Sequence, residues 1–168
     1  MTSSAKGDAD RQCLAARFVE GPRLFAPDEA ERRLAGWLGD LAPEQAGAIR
    51  EFADRFPLSR TILEGIAEAS SYLFDLMRAD AARLIRLLDC DPESHLAELI
   101  ERTSLAVAAA VDEAEAMQLL RRMKSEAALL IALCDIGGVW PVMRVTAGLT
   151  DLAVASVQSA LRYLLRQE

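Results

Sequence analysis

Two long amphipathic stretches, Asp112 to Ile136 and Pro141 to Arg166, are separated only by Gly137-Gly138-Val139-Trp140. A connection this short can only return the chain antiparallel, so the sequence demands a helical hairpin. In the first stretch Leu120, Met123, Ala127, Leu130, Ile131 and Cys134 recur at three- and four-residue steps, one continuous stripe on a helix. Its first half carries Arg121, Arg122, Lys124 and Ser125 on the other side and should meet water. Its second half, AALLIALC, is apolar all round, as in a helix enclosed by neighbours. The two glycines tolerate the left-handed backbone of a helix C-cap, and Pro141 has the fixed φ of a first helical turn.

The second stretch spreads its apolar residues over roughly 200° of helix circumference, twice the width one neighbour requires. Leu120, Met123, Leu130, Ile131, Leu149, Leu152 and Leu164 are expected in the core. An edge of the arc, around Leu161 and Leu164–Leu165, is expected to remain as a local apolar patch. The competing expectation is that helices within Pro27–Phe56 fold back and cover it.

Upstream, prolines and capping residues punctuate shorter helices. One opens at Pro27 and buries Leu34, Trp37 and Leu38; the next runs from Pro43 to Phe56 and is closed by Pro57. Ser59 is positioned to cap a helix from Arg60 to about Ala69. Ser70 or Ser71 caps a short helix with Tyr72, Leu73, Leu76 and Met77 inward, continued after a kink by Ala79–Leu88. Asp91-Pro92 begins a helix reaching about Ala110. Residues 1–26 show no sustained periodicity and read as a mobile tail with one helical turn around Gln12–Val19, leaving one helical domain over 27–168. The fold class is all-α, a multi-helix orthogonal or up-down bundle organised on the C-terminal hairpin.

Composition agrees: 52% of the chain is hydrophobic but only 5% aromatic, and Ala and Leu, good helix formers, dominate. Nineteen basic against 26 acidic residues give a net charge of −7, which disfavours nucleic acid and anionic lipid as partners. No apolar run reaches the ~18 residues of a membrane span, and the first residues lack a signal-peptide core, so the expected location is the cytoplasm. Cys13, Cys90 and Cys134 have no metal-type spacing and read as free thiols.

Four features invite a chemical reading. His95 is the single histidine and cannot build a His-based zinc site; it reads as solvated and structural. Asp89-Cys90-Asp91 has the Asp-x-Asp spacing of a two-metal nucleotidyltransferase, but falls at a helix end without the strand and Gly-Ser turn that chemistry needs. Arg121, Arg122 and Lys124 form the densest basic cluster, read as a solvated face or a set of intersubunit ion pairs in preference to an anion site. Gly137-Gly138 lacks the surroundings of a phosphate loop. No catalytic, cofactor-binding or metal-ligating residue is assigned.

From about Ser70 onward the passages SSYLFDLMRADAARLIRLLDCDPES, MQLLRRMKSEAALLIALCDIGGVW and RVTAGLTDLAVASVQSALRYLL resemble, in the same order, the N-terminal helical region of the glutamine synthetase adenylyltransferase/deadenylylase family. The most specific block is Leu120-Arg121-Arg122-x-Lys124 followed by Ala128 to Leu133 and Asp135, then Val145-Thr146-x-x-Leu149-x-x-Leu152-Ala153. The resemblance implies a much longer bifunctional enzyme with two nucleotidyltransferase domains. One adds AMP to a tyrosine of glutamine synthetase and the other removes it by phosphorolysis, using ATP and Mg²⁺, under control of glutamine and a nitrogen signal protein. It further implies that the helices here directly precede the removing domain, whose metal motif would begin beyond Glu168. On this reading the chain is a non-catalytic scaffold fragment, needing no cofactor itself, with the missing catalytic domains as its partners. The alternative is a stand-alone helical adaptor without catalysis.

Overall fold

The computed structural model describes residues 13–166, and among them every regular element is a helix. In chain order these are α1 (Leu14–Arg17), α2 (Pro27–Asp40), α3 (Pro43–Arg55), α4 (Pro57–Ala69), α5 (Ser71–Ala79), α6 (Ala81–Asp89), α7 (Pro92–Ala109), α8 (Glu113–Ile136) and α9 (Val142–Leu165). The all-α expectation holds.

Local chemistry sets the boundaries. Proline occupies the first turn of α2, α3, α4 and α7, where its missing N–H costs nothing. Side chains cap four others or the same starts: Ser70 accepts from Leu73 N at 3.2 Å, Asp80 from Arg83 N at 2.8 Å, Asp91 from Ser94 N at 2.9 Å and Asp112 from Glu115 N at 2.8 Å. Glu115 in turn accepts the N–H of Val111 at 2.8 Å, so side chains satisfy amides on both sides of the long helix's start. Asp80 separates α5 from α6, at the place where the sequence shows a break. Pro57 opens α4, so the start expected at Arg60 moves upstream and Ser59 lies buried inside the first turn instead of capping it.

The bundle has two halves that meet on α8. At one end α2 and α3 pack on α4, and α5 connects α4 to α8; at the other α7, α8 and α9 pack mutually. The main core joins Ile62, Leu63 and Ile66 of α4, Leu84, Leu87 and Leu88 of α6, and Leu129, Leu130, Leu133 and Cys134 of α8. A second, small cluster of Val107, Ala116 and Tyr163 closes the far end of the three-helix half.

The hairpin forms, with unequal arms. Helix α8 is the enclosed arm: Met123, Leu130 and Ile131 are buried and Leu120 packs against the core. Helix α9 is the outer arm, touching α7 and α8 through Gly148, Leu152, Ala155, Ser159 and Tyr163. Leu149 and Leu164, expected in the core, are 50% and 55% exposed, because α9 packs on a narrow stripe and, among the described residues, no third element covers its other side. Leu161 and Leu165 are 53% and 63% exposed, as the arc width required. Helices α2 and α3 turn away onto α4 and do not cover them. Tyr72 is likewise exposed, since α5 buries Phe74 and Met77 instead.

The largest departure is at the N-terminal segment. Residues 1–12 of the expected tail lie outside the described residues, but Cys13, Leu14, Ala15 and Phe18 belong to the core, Leu14 at 0% exposure. The segment is a strap: Leu14 N donates to Cys90 O at 2.8 Å and Val19 N to Gly137 O at 2.9 Å. The Glu68 carboxylate receives the N–H groups of Phe25 and Ala26. Four apolar side chains within six residues suffice for this docking, too few for a periodicity search to register.

Candidate functional site

Helix α1 places Arg17 over the N-terminus of α7. Its guanidinium donates from Nη1 to Glu93 Oε2 at 2.5 Å, from Nη2 to Glu93 Oε1 at 2.8 Å and from Nη1 to Asp91 Oδ2 at 3.1 Å. The indole N–H of Trp140, in the α8–α9 turn, donates to Glu93 Oε1 at 2.7 Å. The Arg144 guanidinium then lies 4.4 Å from the Trp140 ring centroid, a cation–π contact. This seam fastens the strap, the start of α7 and the hairpin turn to one another. The hydrogen bonds from Arg17, with help from Trp140, hold the Glu93 carboxyl down to about 2 against partial burial. A carboxyl that low neither gives nor takes a proton near neutrality, so Glu93 is an anchor and no general acid or base.

A second polar contact bridges α7 and α8. His95 Nε2 lies 2.7 Å from Glu126 Oε1, and the bond lowers the Glu126 pKa against its desolvation. His95 is therefore a half-buried strut and not the solvated residue expected from its position; its partner sits on another helix, out of reach of any local reading. Arg86 approaches Glu126 at 4.0 Å.

The remaining sequence candidates resolve as follows. Asp91 spends one carboxylate oxygen on the α7 cap and the other on Arg17, while Asp89 is exposed at the end of α6. Gly138 has φ 64° and is the left-handed residue of the turn, a conformation glycine adopts without strain. Gly137 has φ −84° and is needed for space, because a Cβ there would run into the Phe18 ring. Strap side chains thus fill the room that a phosphate would take. Both Asp91 oxygens are engaged within the fold, and the glycine turn is crowded by Phe18, Val19 and Glu20. Arg121, Arg122 and Lys124 are exposed along α8. Cys134 is fully buried, which pushes its thiol pKa upward, and burial pushes Cys90 up to about 12; neither is a ready nucleophile. Among the described residues, no group of three His, Cys, Asp or Glu side chains is placed to hold a metal ion.

One cavity of about 150 Å³ lies between α2, α3 and α4, floored by Leu34, Leu38, Ile49 and Leu63 and rimmed by Glu31, Arg50, Arg60 and Glu64. Ligand pockets begin near ~300 Å³, so this one is a packing groove; a wider hollow of about 310 Å³ lies along Phe52, Arg55, Phe56, Ile85 and Asp89. Sequence reasoning missed Arg17 and Trp140 as partners of Glu93, because no one-dimensional signal joins residues 17, 93 and 140.

Fold and polar contacts together define an all-helical module in which the ordered polar clusters join helix to helix. Residues 61–168 match the family model described as glutamate-ammonia ligase adenylyltransferase, and the chain belongs to that family. Its relatives include the bifunctional glutamine synthetase adenylyltransferase/adenylyl-removing enzymes of Bradyrhizobium sp. strain BTAi1, 64% identical over 168 residues, and Rhodopseudomonas palustris strain BisB5, 63% identical over 169. Each alignment covers 100% of this chain and 17% of the relative. The Xanthobacter autotrophicus strain Py2 enzyme is 45% identical over 157 residues, 94% of this chain and 16% of the relative. The chain thus spans about a sixth of the length of the curated relatives it matches. No solved structure matches it. No helix among the described residues is long and apolar enough to cross a membrane.

Proposed function

We propose that this chain is a non-catalytic helical scaffold of a bifunctional enzyme that adenylylates and deadenylylates glutamine synthetase. The observation that carries the reading is the alignment of the whole chain with 17% of such enzymes, joined to a set of polar residues committed to holding helices together. The ATP and Mg²⁺ chemistry then resides in other parts of the longer polypeptide, as do recognition of glutamine synthetase and response to a nitrogen signal protein, all in the cytoplasm. The role of the helices is to present a rigid, uncharged surface to those parts.

The test is direct. The isolated chain should neither transfer AMP to glutamine synthetase nor remove it, and ATP with Mg²⁺ should leave its melting temperature unchanged, since a ligand stabilises only a protein that has a site for it. A saturable rise in melting temperature with ATP and Mg²⁺ would overturn the reading.

A further inference from the structure

Helix α9 has two faces of opposite fate. Gly148, Leu152, Ala155, Ser159 and Tyr163 fall within about 80° of one another and are buried against α7 and α8. Roughly opposite, Val142, Leu149, Val154, Val157, Leu161 and Leu164 are each between 47% and 74% exposed. At 100° per residue this second face is an arc of about 140° without a charge, because Arg144, Asp151, Gln158 and Arg162 all fall on the strip along one side. The two threonines within the arc do not make it polar. Thr146 Oγ1 donates to Val142 O at 3.0 Å and Thr150 Oγ1 to Thr146 O at 2.9 Å, so both hydroxyl hydrogens are already used inside the helix. Over 24 residues the face is about 36 Å long, well beyond the scattered apolar side chains normal on a monomer surface.

We propose that this face is covered by the rest of the same polypeptide in the longer enzyme, docked along α9 through apolar contacts. The inference rests on the scaffold reading above and supplies its contact surface. Two facts favour this occupant over a second copy. More than four fifths of the length of the curated relatives lies outside the matched segment, which takes up 17% of each. A segment joined covalently to α9 is also held at a high effective concentration, whereas a second copy must meet the full entropic cost of association.

The experiment places a reporter thiol on the face. Leu161→Cys is made in the isolated chain and in a chimera where this sequence replaces the matched segment of the Bradyrhizobium sp. strain BTAi1 enzyme. Maleimide labelling of the peptide containing residue 161 is then timed by mass spectrometry. Cys134 serves as the internal check on folding, since it is fully buried. The expected result is rapid labelling in the isolated chain and labelling slower by about tenfold or more in the chimera. Equal rates in the two overturn the proposal. So does a dimer by light scattering in which position 161 is already protected in the isolated chain, for that assigns the face to a second copy. Should Cys134 label in the chimera, the same comparison is made with the Leu161→Cys chain mixed with the remainder of the enzyme. Protection then supports docking and its absence overturns it. A thermal shift with ATP and Mg²⁺ would sink the scaffold reading by itself, so the two failures are told apart.

Discussion

Leu130 and Leu164 are the same side chain on the two arms of one hairpin, at 0% and 55% exposure. Leu130→Ala removes buried methyl groups from an enclosed site and should cost about 2–5 kcal/mol, from the lost transfer energy and the cavity left behind. Leu164→Ala in the isolated chain should cost less than about 0.5 kcal/mol, as at most surface positions. Urea melts of the two variants measure both, and similar losses would mean that α9 is covered within this chain. At Glu93 the expected effect is on pH dependence. Its folded pKa, about 2, lies below the ordinary 4.5, so its stabilisation is complete above about 4.5 and lost as pH falls through about 2. The urea midpoint should therefore fall between those values, and Glu93→Gln should flatten that part of the profile. An unchanged profile in the variant would show that Arg17 does not hold the carboxylate in solution.

The turn between α8 and α9 shows how one element serves another. Gly138 supplies the positive φ, and Gly137 supplies the absence of a side chain that lets Phe18 of the strap sit against the turn. Gly137→Ala leaves φ −84° undisturbed and should act chiefly through the strap, since its Cβ runs deepest into the Phe18 ring and only grazes Leu133 O, costing on the order of 1–3 kcal/mol by overpacking. Hydrogen exchange reads this at the Val19 amide, which donates to Gly137 O. Its protection should drop while the amides in the middle of α8 keep theirs relative to the global melt. Equal loss in both would mean that the substitution damages the hairpin itself.

At the scale of the molecule, the strap bears on how much of the chain folds as one unit. Leu14 and Phe18 are buried, and the strap touches α6, the α7 start and the α8–α9 turn. A chain beginning at Pro27 loses that burial, about 1.5–3 kcal/mol for each large apolar side chain, together with the Arg17–Glu93 anchor. It should unfold at clearly lower urea than the full chain. Equal midpoints would support 27–168 as the domain, with residues 13–26 an ornament on it.

The sequence by itself determined the hairpin, the helices and most of their punctuation, the start of α4 at Pro57 excepted. Proline at a first turn, Asp or Ser at a cap and apolar spacing of three and four act within a few residues, so a linear reading can find them. It also determined that α9 carries more apolar surface than one neighbour can cover. Only the tertiary structure decided which part of that surface is buried. Leu149 and Leu152 have the same chemistry and sit only about 60° apart around the helix, and the difference is made by where α7 and α8 lie. Tertiary structure alone also brought Arg17, Glu93 and Trp140 together and set His95 against Glu126. Such pairs depend on how whole helices pack, and no interaction between neighbours in sequence encodes them.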